Sequence, residues 1–336
     1  MSSEYLNRHW ILEQVAKFFD RLLDNIRKPF PSRVLICSRR AAPPPELSKS
    51  LLPKVECREI LISDLEGIID LLTIGFAPNR SRCFWVKAIR RLTEHATPAG
   101  LPKYGYLLES NGVPVGVLLL IFSSRLVGGD TRVRCNCSSL YVAPSFRSYA
   151  PFMINRAIRR KDITYLNLTA GPQTWPMLEA QGYKPFSSGV YMTIPALCYP
   201  LSNIRIRAAT AETCRDTPLQ PFEVDMLLAH SNYECVCVLC EFGGNTYPFI
   251  FAISRKYGLP VAHLIYCRNR KDFILLAGSL GRFLIKRGLL WTFLDANGPI
   301  PGLTGLYRAN RPKFSRGPNP PQLGDLPYTE RVMFGF

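Results

Sequence analysis

The chain contains no run of about 18 uninterrupted apolar residues, the length a membrane-spanning helix needs, so no span is expected. It also lacks, near residue 1, a short apolar core followed by a small-residue cleavage site. Glu4, Glu13 and Asp20 stand there instead, which argues against a secretory signal. Histidine is scarce, with four in 336 residues, and no local spacing sets one beside a cysteine as a nucleophile and base would require. Acidic side chains are few: 25 Asp and Glu face 42 Lys and Arg, for a net charge of +17. The excess is spread almost evenly over residues 1–54, 55–200 and 201–336. A nucleic-acid binder concentrates its charge on one face or arm, so no nucleic-acid partner is expected. A general positive field equally favours a polyanionic small ligand.

Cysteine is present but not paired by pattern. Eleven is an odd number, scattered along a large chain without an export signal, which reads as reduced thiols in a cytoplasmic protein. Cys235-x-Cys237-x-x-Cys240 has the look of a metal cluster, with Cys135, Cys137, His230 or His263 as further ligands. Zinc needs four ligands converging, however, and alternation along a strand sends Cys240 to the face opposite Cys235 and Cys237. No metal is expected.

Hydrophobic residues make up 47% of the chain, enough for two cores, and the length suits two domains plus an arm. Residues 5–28 carry Leu6, Trp10, Ile11, Val15, Phe18, Leu22 and Ile26 at three- and four-residue steps. This predicts an amphipathic helix docked on the body, with association with a membrane surface left open. Pro29 and Pro31 end it, and Pro43-Pro44-Pro45 marks an extended linker over 38–54.

From residue 55 the patterns alternate. A strand over 55–62 leads to a helix with Leu65, Ile68, Ile69 and Leu72 on one face, then a helix after Ser81. Asn111-Gly112 joins strands over 104–110 and 113–123. A strand over 132–142, a helix over 149–160, a strand over 164–169, a helix over 173–181 and a strand over 189–194 follow. From residue 201 the order repeats in shorter form: strands over 234–242, 247–254 and 259–268, a helix over 272–287, and a strand over 290–295. Arg308, Arg311, Lys313 and Arg316, interleaved with Tyr307 and Phe314, read as a solvated basic loop, with contact to an anionic acceptor left open.

The segment richest in chemistry is Leu140-Tyr141-Val142-Ala143-Pro144-Ser145-Phe146-Arg147-Ser148-Tyr149-Ala150. An apolar strand runs through a short loop into a helix whose first N–H groups, near Ala150, are expected to be free for phosphate, with Arg147 just ahead. On this segment alone, a diphosphate cradle and an ordinary strand-to-helix connection both remain open.

Here the chain resembles the GNAT superfamily of acyl-CoA-dependent N-acyltransferases. Leu140, Val142, Pro144 and Arg147 match the family's central motif at its spacing. Asn167-Leu168-Thr169, Trp175 to Glu179 and Gly182-Tyr183 match its following strand, helix and Gly-aromatic ending. The resemblance implies an α/β fold of two tandem GNAT-like domains with mixed central sheets flanked by helices, preceded by the N-terminal helix. The divisions are 1–54, 55–200 as the acyl-CoA-binding domain, and 201–336 as the acceptor-side domain. It implies acyl-CoA or acetyl-CoA as co-substrate, held by Leu140, Tyr141, Val142, Arg147, Ser148, Tyr149, Ala150, Phe152 and Asn167, and a small amine-bearing acceptor that attacks the thioester directly. The N–H of Val142 would stabilise the oxyanion, Glu109 or Ser138 would take the amine's proton directly or through water, and Tyr149 or Tyr183 would protonate the thiolate. The chain departs from the family where Ala150 and Phe152 replace glycines, Leu178 replaces a tyrosine, and Asn136 replaces a glutamate. A binding protein that catalyses nothing is therefore the competing expectation. Acyl chain, acceptor and oligomeric state are not legible.

Overall fold

The computed structural model describes residues 54–256 and 258–335. The helix expected over 5–28 lies outside the described residues, as does the linker expected over 38–54 except for Lys54. Ten strands and helices make up the first part: β1 (Val55–Glu59), α1 (Leu65–Gly75), α2 (Arg82–Glu94), β2 (Gly105–Ser110), β3 (Val113–Val127), β4 (Asp130–Val142), α3 (Ala150–Ala157), β5 (Thr164–Asn167), α4 (Trp175–Ala180) and β6 (Lys184–Thr193). Then come β7 (Arg205–Ala208), α5 (Ala211–Arg215), α6 (Pro221–Asn232), β8 (Val236–Phe242), β9 (Asn245–Lys256), β10 (Leu259–Cys267), α7 (Arg270–Ile285), β11 (Trp291–Ala296), β12 (Gly305–Arg316) and α8 (Glu330–Met333).

Local chemistry explains the starts and turns. Arg58 grips Asp64 through two hydrogen bonds of 2.7 and 2.9 Å and so anchors the entry to α1. Ser81 caps α2, its hydroxyl accepting from the Phe84 N–H at 3.3 Å. Asn111 and Gly112 both take positive φ, 51° and 79°, as a two-residue hairpin turn requires. β3 alternates with period two. Leu118, Leu120 and Phe122 pack with α3 on one face, while Val117, Leu119 and Ile121 pack with α1 and α2 on the other.

The described strands form one twelve-stranded mixed sheet, ordered β1-β2-β3-β4-β5-β12-β6-β11-β10-β9-β8-β7. Read from its two ends, the order is the same: five strands in sequence, then a sixth that belongs to the other set. β12 runs antiparallel to both β5 and β6, and β6 runs antiparallel to β11. Each set of six thus surrenders its last strand to the other. The connection after β6 crosses α7 so closely that a Cβ on Gly281 would stand 2.1 Å from the backbone nitrogen of Ala196.

Several expectations change. Residues 308–316 are not a solvated loop but part of β12, with Lys313, Phe314 and Ser315 buried. Charged residues hid the strand, because Arg308, Arg311 and Lys313 line a chamber there and only Lys313 of them is buried. β7, α5 and α6 were not expected; buried Glu223 and His230 break the apolar stripe of α6. A 3-10 turn, Pro144–Tyr149, precedes α3, which ends at Ala157 rather than at 160. β6 begins five residues before the expected strand. Cys235 and Cys237 pack into one core cluster and Cys240 into another, on opposite faces of β8. Among the described residues no helix is long and apolar enough to cross a membrane.

Phe314 is 2% exposed, sits in β12 between β5 and β6, and lies 6.4 Å from the Trp175 ring. Phe314→Ala is expected to remove about 3–5 kcal/mol of stability, read as a lowered urea midpoint. Because β12 ties both strand sets, fluorescence and far-ultraviolet circular dichroism should still report one shared transition.

Candidate functional site

Parallel strands β4 and β5 pair at only three positions, Arg134 with Thr164, Cys135 with Tyr165 and Asn136 with Leu166. Beyond Asn136 they part. β4 continues to Val142 against β3 and bulges on the way, with Ser139 at φ 56° where the β3 register slips between Val117 and Leu119. The second strand set repeats this geometry. β10 and β11 pair at Val261, Ala262 and His263, then part, and β10 slips register between Leu264 and Tyr266.

Residues 324–334 lie across both partings. The Cys267 N–H donates to the Gly324 carbonyl at 2.9 Å, and the Leu326 N–H donates to the Ile265 carbonyl at 2.8 Å. Asp325 receives two hydrogen bonds from Arg125, at 2.8 and 2.7 Å, and one from Arg134 at 2.8 Å. Glu330 enters the first parting. Its N–H donates to Asn136 Oδ1 at 2.7 Å, and its carboxylate accepts from Thr169 Oγ1 at 2.7 Å and from Ser138 Oγ. Burial pushes the Glu330 carboxyl up from its ordinary range, and the two hydroxyl donors oppose that shift.

Two histidines hydrogen-bond this segment, and a third, His95, packs its ring 5.3 Å from that of Tyr328. His230 Nδ1–H donates to the Met226 carbonyl at 2.7 Å, so Nε2 accepts from the Tyr328 N–H at 3.2 Å. Burial holds His230 down at about 4. His263 Nε2 accepts from Arg331 at 3.3 Å and meets Ser254 Oγ at 2.8 Å. Burial, then Arg331, Lys256 and Lys313, depress it well below the usual range.

Beside these groups lies a chamber of about 690 Å³. It runs from Thr169 and Ala170, just past the end of β5, and Trp175 at the start of α4 to His263 and Phe293 at the second parting. Six Lys and Arg side chains line it against one carboxylate among the described residues, Asp295, which holds Lys313 at 2.7 Å.

The residues singled out from sequence do not all converge. Ser138 stands at the first parting. Tyr183 lies on the other face of β4, buried and 3.6 Å from Cys137 Sγ, with burial and then Cys137 raising its hydroxyl. Glu109 is held at 2.9 Å by Arg58 on the β1–β2 pair. Tyr149 is 39% exposed on the 3-10 turn, with Phe146 at 6.5 Å between ring centroids, and Phe152 is 51% exposed on α3. Arg147 and Ser148 are exposed, Ala150 and Leu140 half-buried, and Val142 buried. The Tyr141 ring lies where a Cβ on Gly75 would come within 2.4 Å of it. Asn167 pairs with Phe314 of β12. The amide expected to be free at Ala150 is not: it donates to the Arg147 carbonyl, because the 3-10 turn carries the helical bonding back to Pro144. Glu330 carried no signal in the sequence. Thr169 stood only in the strand match, His263 only as a possible metal ligand, and Lys313 only in the basic aromatic run.

Neither a family model nor a curated protein matches this sequence. Solved structures do match its shape. A GCN5-related N-acetyltransferase from Anabaena variabilis ATCC 29413 aligns with a TM-score of 0.52 at 10% identity, covering 78% of this chain and 72% of that one. A putative acetyltransferase from Pyrococcus horikoshii aligns at 0.52 and 12% identity, covering 84% and 96%. A GCN5-related N-acetyltransferase from Kribbella flavida aligns at 0.51 and 12%, covering 78% and 71%. The chain has the GCN5-related N-acetyltransferase fold.

The buried histidine has a measurable consequence. His230 sits at about 4 in the folded chain against 6.5 in the unfolded one. The unfolded state therefore binds the extra proton between those values, and stability falls as pH drops from about 6.5 toward 4. The loss attributable to His230 is about 3 kcal/mol. Urea midpoints measured across this window should fall more steeply for the wild type than for His230→Gln, which cannot titrate.

Proposed function

We propose that this protein transfers an acyl group from acyl-coenzyme A to an amine by direct attack on the thioester, with acetyl-CoA as the simplest donor. One observation carries the reading: β4 parts from β5 after Asn136 and Leu166, beside a chamber of about 690 Å³, within an N-acetyltransferase fold. The mirrored strand order supports two tandem GNAT-like domains, 55–200 and 201–336. In this reading the first holds the thioester and the second shapes the acceptor side.

Exposed Arg147 and Ser148 meet the diphosphate at the head of the 3-10 turn, where Pro144 and Ser145 stand ahead of the first internal bond. The acyl arm then follows the parting toward Thr169. Residues 137–142 of β4 pair with β3 alone, and a backbone N–H there, that of Val142 in the family pattern, steadies the oxyanion. Thr169 lines the chamber and donates to Glu330, so a proton released by the attacking amine passes through Thr169 to the Glu330 carboxylate. A carboxyl whose affinity for protons is raised by burial suits that task. Ser138 holds the second carboxylate oxygen in place.

A second reading has its own support. Glu330 occupies the parting, and the Ala150 amide is spent within the 3-10 turn. Both favour a binding or scaffold protein of this fold that holds coenzyme A or a partner and catalyses nothing.

Calorimetric titration with acetyl-CoA and longer acyl-CoAs should give saturable binding, weakened about tenfold in Arg147→Ala. Absence of binding across the series overturns the assignment. Release of free thiol with a panel of amines then separates the readings. In the enzyme, Glu330→Gln should lower turnover by about 10²–10⁴ while acyl-CoA affinity stays level. Binding with no thiol release from any amine leaves the second reading standing.

A further inference from the structure

The chamber's charge is unbalanced in a way the fold does not explain. Lys313 is 6% exposed and answered by Asp295 at 2.7 Å. Arg331 reaches His263. Lys256, Arg308 and Arg311, by contrast, face the chamber with no carboxylate partner among the described residues. They come from the end of β9 and the middle of β12, two strands that no helix requires to carry charge here. Burial and the proximity of Arg331, Arg311 and Arg80 already lower the proton affinity of Lys256. A lysine held among arginines in a half-enclosed space is relieved when an anion joins them.

The geometry points to an anionic group on the acceptor, a phosphate or carboxylate that docks among Lys256, Arg308 and Arg311 while the reactive amine faces Thr169. Arginine's planar fork matches either oxyanion, and a neighbouring ammonium adds a point charge. His263, kept neutral and accepting from Arg331, turns that guanidinium rather than competing for the anion. The apolar floor of the same chamber, Val190, Met192 and Phe293, leaves room for a small carbon frame between the anion and the amine. This inference deepens the acyl-transfer reading: the anion site stands on the chamber alone, whereas its assignment to the acceptor rests on that reading.

The test uses the full chain, with inorganic pyrophosphate as the phosphate probe and citrate as the carboxylate probe, at constant ionic strength set by chloride. At least one probe should bind saturably, and Lys256→Ala/Arg311→Ala should weaken it about tenfold or more. Coenzyme A affinity should be unchanged in the same variant. The preferred probe tells phosphate from carboxylate. Failure of both probes, or binding that survives the double substitution, overturns the site. Loss of coenzyme A affinity in the double variant overturns the acceptor assignment, because the chamber would then hold the donor's phosphates. If coenzyme A binds neither protein while a probe binds the wild type and not the variant, the acyl-transfer reading fails and the anion site stands. Should the variant not fold, footprinting of the unaltered protein with an amine-reactive reagent decides. A bound probe must shield Lys256 while exposed Lys161 stays reactive, and equal labelling of Lys256 with and without probe overturns the site.

Discussion

The placement of β12 between β5 and β6 is the constraint on which the rest of the structure depends. An antiparallel strand there closes the sheet across its middle, so that no edge is left where two six-stranded sets would otherwise meet. It also fixes what can stand at the centre. Along β12, whose register with β6 slips on either side of Lys313, Phe314 enters the core with Trp175 while Arg308, Arg311 and Lys313 line the chamber. Three of the six Lys and Arg that line the chamber thus come from this one strand.

The partings of β4 from β5 and of β10 from β11 are related by the same mirrored order, yet they are finished differently. At the first, a carboxylate enters and is satisfied by two hydroxyls, while Asn136 accepts from the backbone N–H of the same glutamate. At the second, backbone pairing to Ile265 and Cys267 covers the gap. One short segment does both, and it is fastened by Asp325 to Arg125 and Arg134 and by Tyr328 to a neutral histidine. The two strand sets therefore differ in how their openings are lined, not in their topology.

Much of the outline was legible in the residues themselves. Asn111-Gly112 announced its hairpin, Ser81 its helix, and the alternation through 113–142 its two long strands, since each signal is local and needs no partner to be recognised. The motif from Leu140 to Arg147 located the strand-to-helix crossing for the same reason. What escaped was everything set by distant contact. β12 carries charge that reads as a solvated loop, and only the surrounding strands bury Lys313 within it. Glu330 lies 192 residues from Ser138 along the chain, so no spacing rule joins them. The Ala150 amide was misjudged because a 3-10 turn and an α-helix start share the same loop chemistry and differ in where the first donor is consumed.

The exchange of last strands has a consequence for synthesis on the ribosome. As the chain emerges, residues 55–193 can build β1 to β5 and β6, but the neighbour that belongs between the last two has not yet been translated. The nascent product must wait with β5 open along one side until residues 305–316 have left the exit tunnel. Holdase chaperones that mask strand edges would therefore be needed from the end of its first half until β12 has emerged.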